Sequence, residues 1–154
     1  MKLKLIQDST TTELTVEVRY SEDNEALQSI VRSLRLFDET ITGRLRGESH
    51  FIPIRTIYYF ESVEDKVFCY TEKEVYETNY RLYELEEVLP KGEFVRTAKS
   101  AIVHLRKIKS FRSGLSGRIE ATMKNGEVLM IARSFVKAVK EELYRLGGIS
   151  HENR

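Results

Sequence analysis

Between residues 41 and 131 the apolar side chains come in short runs separated by turn residues, and that punctuation confines the chain to a β-rich fold. Residues 41–45, 51–60, 66–70 and 74–78 carry the β-branched and aromatic bias of strands, and residues 100–105, 108–112, 118–123 and 127–131 repeat it. Pro53 has no N–H to give a ladder, so its run belongs at a sheet edge or a strand start. Asn125-Gly126 between the last two runs is the strongest short hairpin signal. Two helices interrupt the strands. Residues 80–89 place Leu82, Leu85, Val88 and Leu89 on one face, with Pro90 as the stop. Residues 134–146 lead into Gly147-Gly148 as a cap. The expected fold is mainly β with α, in two layers or a partly closed sandwich.

The first forty residues read differently. Residues 2–6 and 13–20 alternate with period two, the pattern of half-buried strands. Ser21 stands as an N-cap before Glu22 and Asp23. Ala26, Leu27, Ile30, Val31 and Leu34 then line one helical face that ends near Phe37. The chain therefore divides into a strand-strand-helix extension over 1–40, a β domain over 41–148 and a polar tail over 149–154.

Composition excludes several classes. Hydrophobic residues make up 41% of the 154, with eight Tyr and seven Phe, enough for a packed core. No run of eighteen apolar residues suggests a membrane span, and the start turns polar too soon for a signal peptide. Cys69 is the single cysteine, so neither an intrachain disulfide nor a paired-cysteine zinc site is expected. Its place in Val67-Phe68-Cys69-Tyr70 is that of a buried strand residue, and a reducing cytoplasm is the expected compartment. His50, His104 and His151 lack metal spacing. Gly114 and Gly117 suit a loop between strands better than a phosphate cradle. His104, on a strand pattern without a positioned partner, reads as a structural or surface histidine. The expectation is a protein without catalysis, cofactor or metal.

Charge is sorted along the chain although its sum is only +1. Lys91, Arg96, Lys99, Arg106, Lys107, Lys109, Arg112 and Arg118 face one acid, Glu93, in residues 91–118. Glu61, Glu64, Asp65, Glu72, Glu74, Glu77, Glu84, Glu86 and Glu87 lie just upstream. Such sorting is the footprint of a polyanion binder, because each cation placed on a phosphate releases counterions; a solvated face without a partner has the same composition. Lys66, Lys99 and Ser100, and Arg133 and Ser134, fall at turns, where side chains project outward from a sheet that holds their register. Arg133 could equally pair with Glu141 or Glu142.

From about residue 43 to 146 the chain resembles the LytTR DNA-binding domain of bacterial response regulators. The likeness runs in order through Ile57-Tyr58-Tyr59-Phe60-Glu61-Ser62, Val75-Tyr76-Glu77-Thr78 and Leu82-Tyr83-Glu84-Leu85-Glu86. It continues through residues 94–108, from Phe94-Val95-Arg96-Thr97-Ala98-Lys99-Ser100 to Lys107-Ile108. Lys124-Asn125-Gly126 and Ile131-Ala132-Arg133-Ser134-Phe135 complete it. The resemblance implies an elongated β-sandwich whose loops, instead of a recognition helix, enter successive major grooves of bent DNA. It implies base contacts from Lys66, Lys99 and Arg133. His104 stands where the family more often has Asn, and Ala132 where it has Ser.

The reading is a sequence-specific regulator of transcription that binds double-stranded DNA. Arg96, Ser100, Arg106, Lys107, Arg112, Arg118, Ser134 and Lys137 are its candidate phosphate contacts. No receiver domain is expected in the forty residues ahead of the β domain. That extension is expected either to form a homodimer through its helix face or to pack back on its own domain. The rivals are an interaction module whose basic segment docks an acidic partner, such as a membrane sensor's cytoplasmic tail, and an RNA binder stacking bases on Phe111 or Tyr80.

Overall fold

The computed structural model describes the backbone of residues 1–147 and the side chains of all of these except 35–37. Gly148, His151 and the tail at 149–154 lie outside the described residues. The elements are α1 (Glu25–Asp38), β1 (Thr40–Leu45), β2 (Glu48–Pro53), β3 (Ile57–Val63), β4 (Lys66–Thr71), β5 (Val75–Thr78), α2 (Leu82–Val88), β6 (Phe94–Ala98), β7 (Ala101–His104), β8 (Ile108–Ser113), β9 (Ile119–Met123), β10 (Val128–Ile131) and α3 (Val136–Gly147). Seven strands form one antiparallel sheet in the order β2-β1-β5-β4-β3-β7-β6, and three form a second in the order β10-β9-β8.

Three apolar clusters hold the layers. Ile57, Phe60, Cys69, Phe94 and Ile102 of the large sheet pack with Leu82, Leu85 and Leu89 at α2. Ile119, Ala121 and Ile131 of the small sheet pack with Leu105 and with Val139 of α3. Tyr58, Tyr59, Val103 and Met123 join the two sheets. β3 contributes to the first and third clusters, and its residues 57–60 are all buried. Burial pushes the Cys69 thiol up to about 12, which suits a packing residue rather than a nucleophile.

Pro53 ends β2 at the sheet edge, as its missing N–H requires. It also splits the expected 51–60 strand, because the chain turns through Ile54–Thr56 before β3 begins. The Asn125-Gly126 hairpin forms with positive φ at Gly126 alone, and Gly126 N–H donates to the Met123 carbonyl at 2.9 Å. This is a tight turn followed by a glycine bulge. β6 escapes the period-two reading, because its two fully polar residues, Arg96 and Thr97, are neighbours and Thr97 is buried.

The N-terminal extension corrects the sequence reading. Residues 2–6 and 13–20 form no strand, and nearly all of their side chains are exposed. Alternation makes a strand only where another segment takes up its backbone N–H and C=O groups, and no described residue does so here. The N-cap is Asn24, not Ser21: its Oδ1 accepts the Leu27 N–H at 2.9 Å. Leu27 of α1 is buried, Ile30, Val31 and Leu34 are half-buried, and the helix packs across the Ile54–Thr56 turn.

Candidate nucleic-acid interface

Strand register brings four connections to one end of the molecule. In the β3–β4 hairpin Val63 faces Lys66, so the turn is Glu64-Asp65, and both adopt positive φ (49° and 66°) without a glycine. That is the twist a two-residue hairpin needs, held by side chains that disfavour it. The β6–β7 turn lies beside it, because Ser62 N–H donates to the Ser100 carbonyl at 2.8 Å. The end of β10 joins the group where Ala132 N–H donates to the Thr97 carbonyl at 2.9 Å. The β8–β9 loop completes it. Gly117 in that loop has φ +75°, and a Cβ there would stand 2.8 Å from Arg133 Cδ. Lys66, Lys99, Ser100, Arg118, Arg133 and Ser134 are thus gathered from both sheets, with Lys137 in the first turn of α3.

Lys99, Arg118, Arg133 and Lys137 are exposed and make no ion pair among the described residues. Pairing of Arg133 with Glu141 or Glu142 does not occur; Glu142 holds Arg145 at 3.1 Å. Lys66 is more engaged, its Nζ lying 3.8 Å from Glu77. Two further cations border its turn. Arg81 donates to the Asp65 carbonyl at 3.2 Å, and Arg44 donates to Asn79 at 2.7 Å and Glu77 at 2.6 Å. Neither stood out in the sequence, because the acids around them cancel a linear charge count.

Other members of the basic segment are placed differently. Arg96 is turned inward: its guanidinium pairs with Glu86 and donates to the Ala98 and Lys99 carbonyls, clamping the turn that carries Lys99. Arg112 pairs with Glu120 at 2.7 Å on the face of the small sheet. Arg106 and Lys107 lie at the opposite end of β7 from Lys99. Lys107 sits over the Tyr58 ring, 5.2 Å from its centroid. Burial, with Lys124 nearby, lowers its pKa below the usual lysine range. The linear cluster of eight cations is therefore not one surface.

Arg106 belongs to an internal group. Its Nε donates to the buried Glu93 carboxylate at 2.7 Å, and His104 Nε2 stands 3.8 Å from the same oxygen. Burial raises the Glu93 pKa, but the His104 ring and Arg106 outweigh it and hold the carboxyl below its ordinary value. His104 is 2% exposed, stacks on Phe94 and bonds through Nδ1 to the Ile57 carbonyl at 2.8 Å. A carbonyl only accepts, so Nδ1 is a protonated donor here. This histidine is structural, tying β7 to the start of β3.

Among the described residues the α-helices α1, α2 and α3 are far apart in sequence, and no two of them are joined by a short turn. No helix among the described residues is long and apolar enough to cross a membrane. Residues 47–144 match the family model described as the LytTr DNA-binding domain. A solved LytTr DNA-binding domain from Bacillus cereus superposes with a TM-score of 0.66 at 24% identity, over 69% of this chain and 97% of that one. A protein of Staphylococcus aureus strain MRSA252, named an uncharacterized HTH-type transcriptional regulator, is 30% identical over 145 residues, 93% of this chain and 98% of its own. A protein of the same description from strain NCTC 8325 is 29% identical over the same span. With the family model matched over more than half of its length and its fold shared with a solved member, the chain belongs to the LytTR DNA-binding domain family.

Proposed function

We propose that this protein is a cytoplasmic regulator of transcription that reads double-stranded DNA through the loops at the Lys99–Arg133 end. Lys99 and Arg133 contact base edges in the major groove, and Lys66 reaches a third position from the β3–β4 turn. Ser100, Ser134, Arg118 and Lys137 set the register on phosphates. Arg96 acts behind them by fixing the Lys99 turn. The protein works as a homodimer, which places two such ends on repeated half-sites. One observation carries this reading: cations without acidic partners are drawn from both sheets to a single end, on turns locked by backbone hydrogen bonds. With no helix-turn-helix pair among the described residues, loops are what this frame offers to a groove.

The test is a binding titration with DNA from upstream of the protein's own gene, in excess random competitor, at two salt concentrations. Tight binding that resists competitor and weakens with salt is expected. Binding that competitor abolishes would overturn the reading. An acidic protein partner, such as the cytoplasmic tail of a membrane sensor, would then be the candidate for the same cations.

A further inference from the structure

A crevice of about 460 Å³ opens between α1, the loop ahead of β6, the turn after β7 and α3. It lies at the Arg106 end of β7, opposite Lys99. Four cations line it, Arg32, Lys91, Arg106 and Arg145, against two acids, Glu93 and Glu142. Each acid is already engaged. Glu93 holds Arg106 at 2.7 Å, and Glu142 holds Arg145 at 3.1 Å. Arg32 and Lys91 are exposed and have no acidic partner among the described residues. They come from different parts of the chain, Arg32 from the middle of α1 and Lys91 from the loop between α2 and β6. Ser29 joins Arg32 in the same wall, three positions back along the helix.

Like charges gathered in a concavity repel one another until an anion enters, and the walls focus their field on it. The two unpaired cations set the charge of that anion. A phosphomonoester carries about −1.5 to −2 at neutral pH and offers three acceptor oxygens, whereas one carboxylate brings only a single charge. Arg32 can take two phosphoryl oxygens as a fork, and Lys91 can add a point charge. The volume falls within the range of small-ligand sites and leaves room beyond a bare phosphate. Among the described residues no aromatic ring lines the crevice, so a nucleobase has no platform to stack on. Glu93 and Glu142 keep lone pairs after their arginine bonds, and these accept hydroxyl groups.

We propose that the crevice binds a small phosphorylated sugar or polyol, its phosphoryl group between Arg32 and Lys91 and its hydroxyls toward Glu93 and Glu142. Arg32 belongs to the N-terminal extension and Lys91 to the matched domain, so the ligand fastens α1 to the β domain. The site is separate from the DNA-reading end and does not depend on that reading.

Calorimetric titration of the full chain at physiological salt tests it, with glucose 6-phosphate, ribose 5-phosphate and glycerol 3-phosphate as probes. At least one is expected to bind saturably and to raise the melting temperature. Glucose and inorganic phosphate, each lacking half of the ligand, should bind at least tenfold more weakly, as should glucuronate with its carboxylate in place of the phosphate. Arg32→Gln and Lys91→Gln should each weaken the sugar phosphate about tenfold, or about 1.4 kcal/mol. Both positions are exposed, so the melting temperature without ligand is expected unchanged. Lys73→Gln, on the turn between β4 and β5, should bind as the wild type does. Three probes that bind no better than glucose or inorganic phosphate would overturn the proposal, and so would affinity that survives both substitutions. Displacement of the bound sugar phosphate by a short random-sequence duplex would overturn it too, by assigning these cations to a DNA backbone.

Discussion

The Arg133 side chain lies along Gly117, and that contact gives a residue-scale way to separate reach from charge. Arg133→Ala should cost about 1–3 kcal/mol at one base step and relax specificity there, read by titrating single-base operator variants. Equal weakening on every sequence would move Arg133 to the phosphate backbone. Gly117→Ala keeps every charge, yet its Cβ at φ +75° would collide with Arg133 Cδ. It should lower affinity for the operator while stability, read by denaturant unfolding, falls only by the roughly 1–2 kcal/mol that a left-handed alanine costs. Glu93 supplies a pH dependence. Its folded pKa is depressed, so its share of stability is present above the ordinary glutamate pKa and is lost as pH falls through the folded value. Glu93→Gln should be less stable than the wild type at neutral pH, and the gap should narrow under acid conditions in denaturant titrations. A gap that does not change with pH would mean the carboxylate is not what the site holds. The sequence placed His104 on a strand as a structural or surface histidine, and the fold decides for the buried one. Glu93 was not visible there, because a lone acid in a basic run looks like dilution until the fold brings His104 and Arg106 around it.

At the scale of elements, the β6–β7 turn shows how a residue counted as a contact becomes a support. Arg96 spends its guanidinium on Glu86 and on two turn carbonyls. Arg96→Ala should remove roughly 1–3 kcal/mol of charge-assisted hydrogen bonding and loosen Lys99. Affinity should fall while the salt dependence of binding keeps its slope. A slope shallower by about 1 would mean that Arg96 touches phosphate after all. Strands of the β domain were legible because the runs had turn residues on both sides, with Pro53 marking an edge or a strand start and Asn125-Gly126 a hairpin. β6 was missed because its alternation is broken by neighbouring polar residues. The expected strands at 2–6 and 13–20 show the converse: the pattern is present, but no described residue takes up its backbone hydrogen bonds.

For the whole molecule, the salt response measures how many cations the end presents. Arg118 and Lys137, the two cations assigned to phosphates, predict a slope of log K on log salt of about −2 per copy of the chain. Lys137→Ala should reduce it by about 1, whereas Lys107→Ala, at the far end of β7, should leave it unchanged. A slope that responds equally to both would return the basic segment to a single surface. By itself the sequence determined the β-rich class, the strand spacing, the likeness to LytTR domains and the turn positions of Lys66, Lys99 and Arg133. Those are properties of neighbours along the chain, where periodicity, proline and glycine act locally. Only the tertiary structure decided which cations face outward together, that Arg96 and Arg106 are tied to Glu86 and Glu93, and that the N-terminal runs stand uncovered by the other described residues. Those outcomes depend on residues far apart in sequence: Arg106 meets Glu93 across thirteen positions and His104 meets Ile57 across forty-seven. Local pattern carries no information about such meetings, because strand register and sheet packing set them.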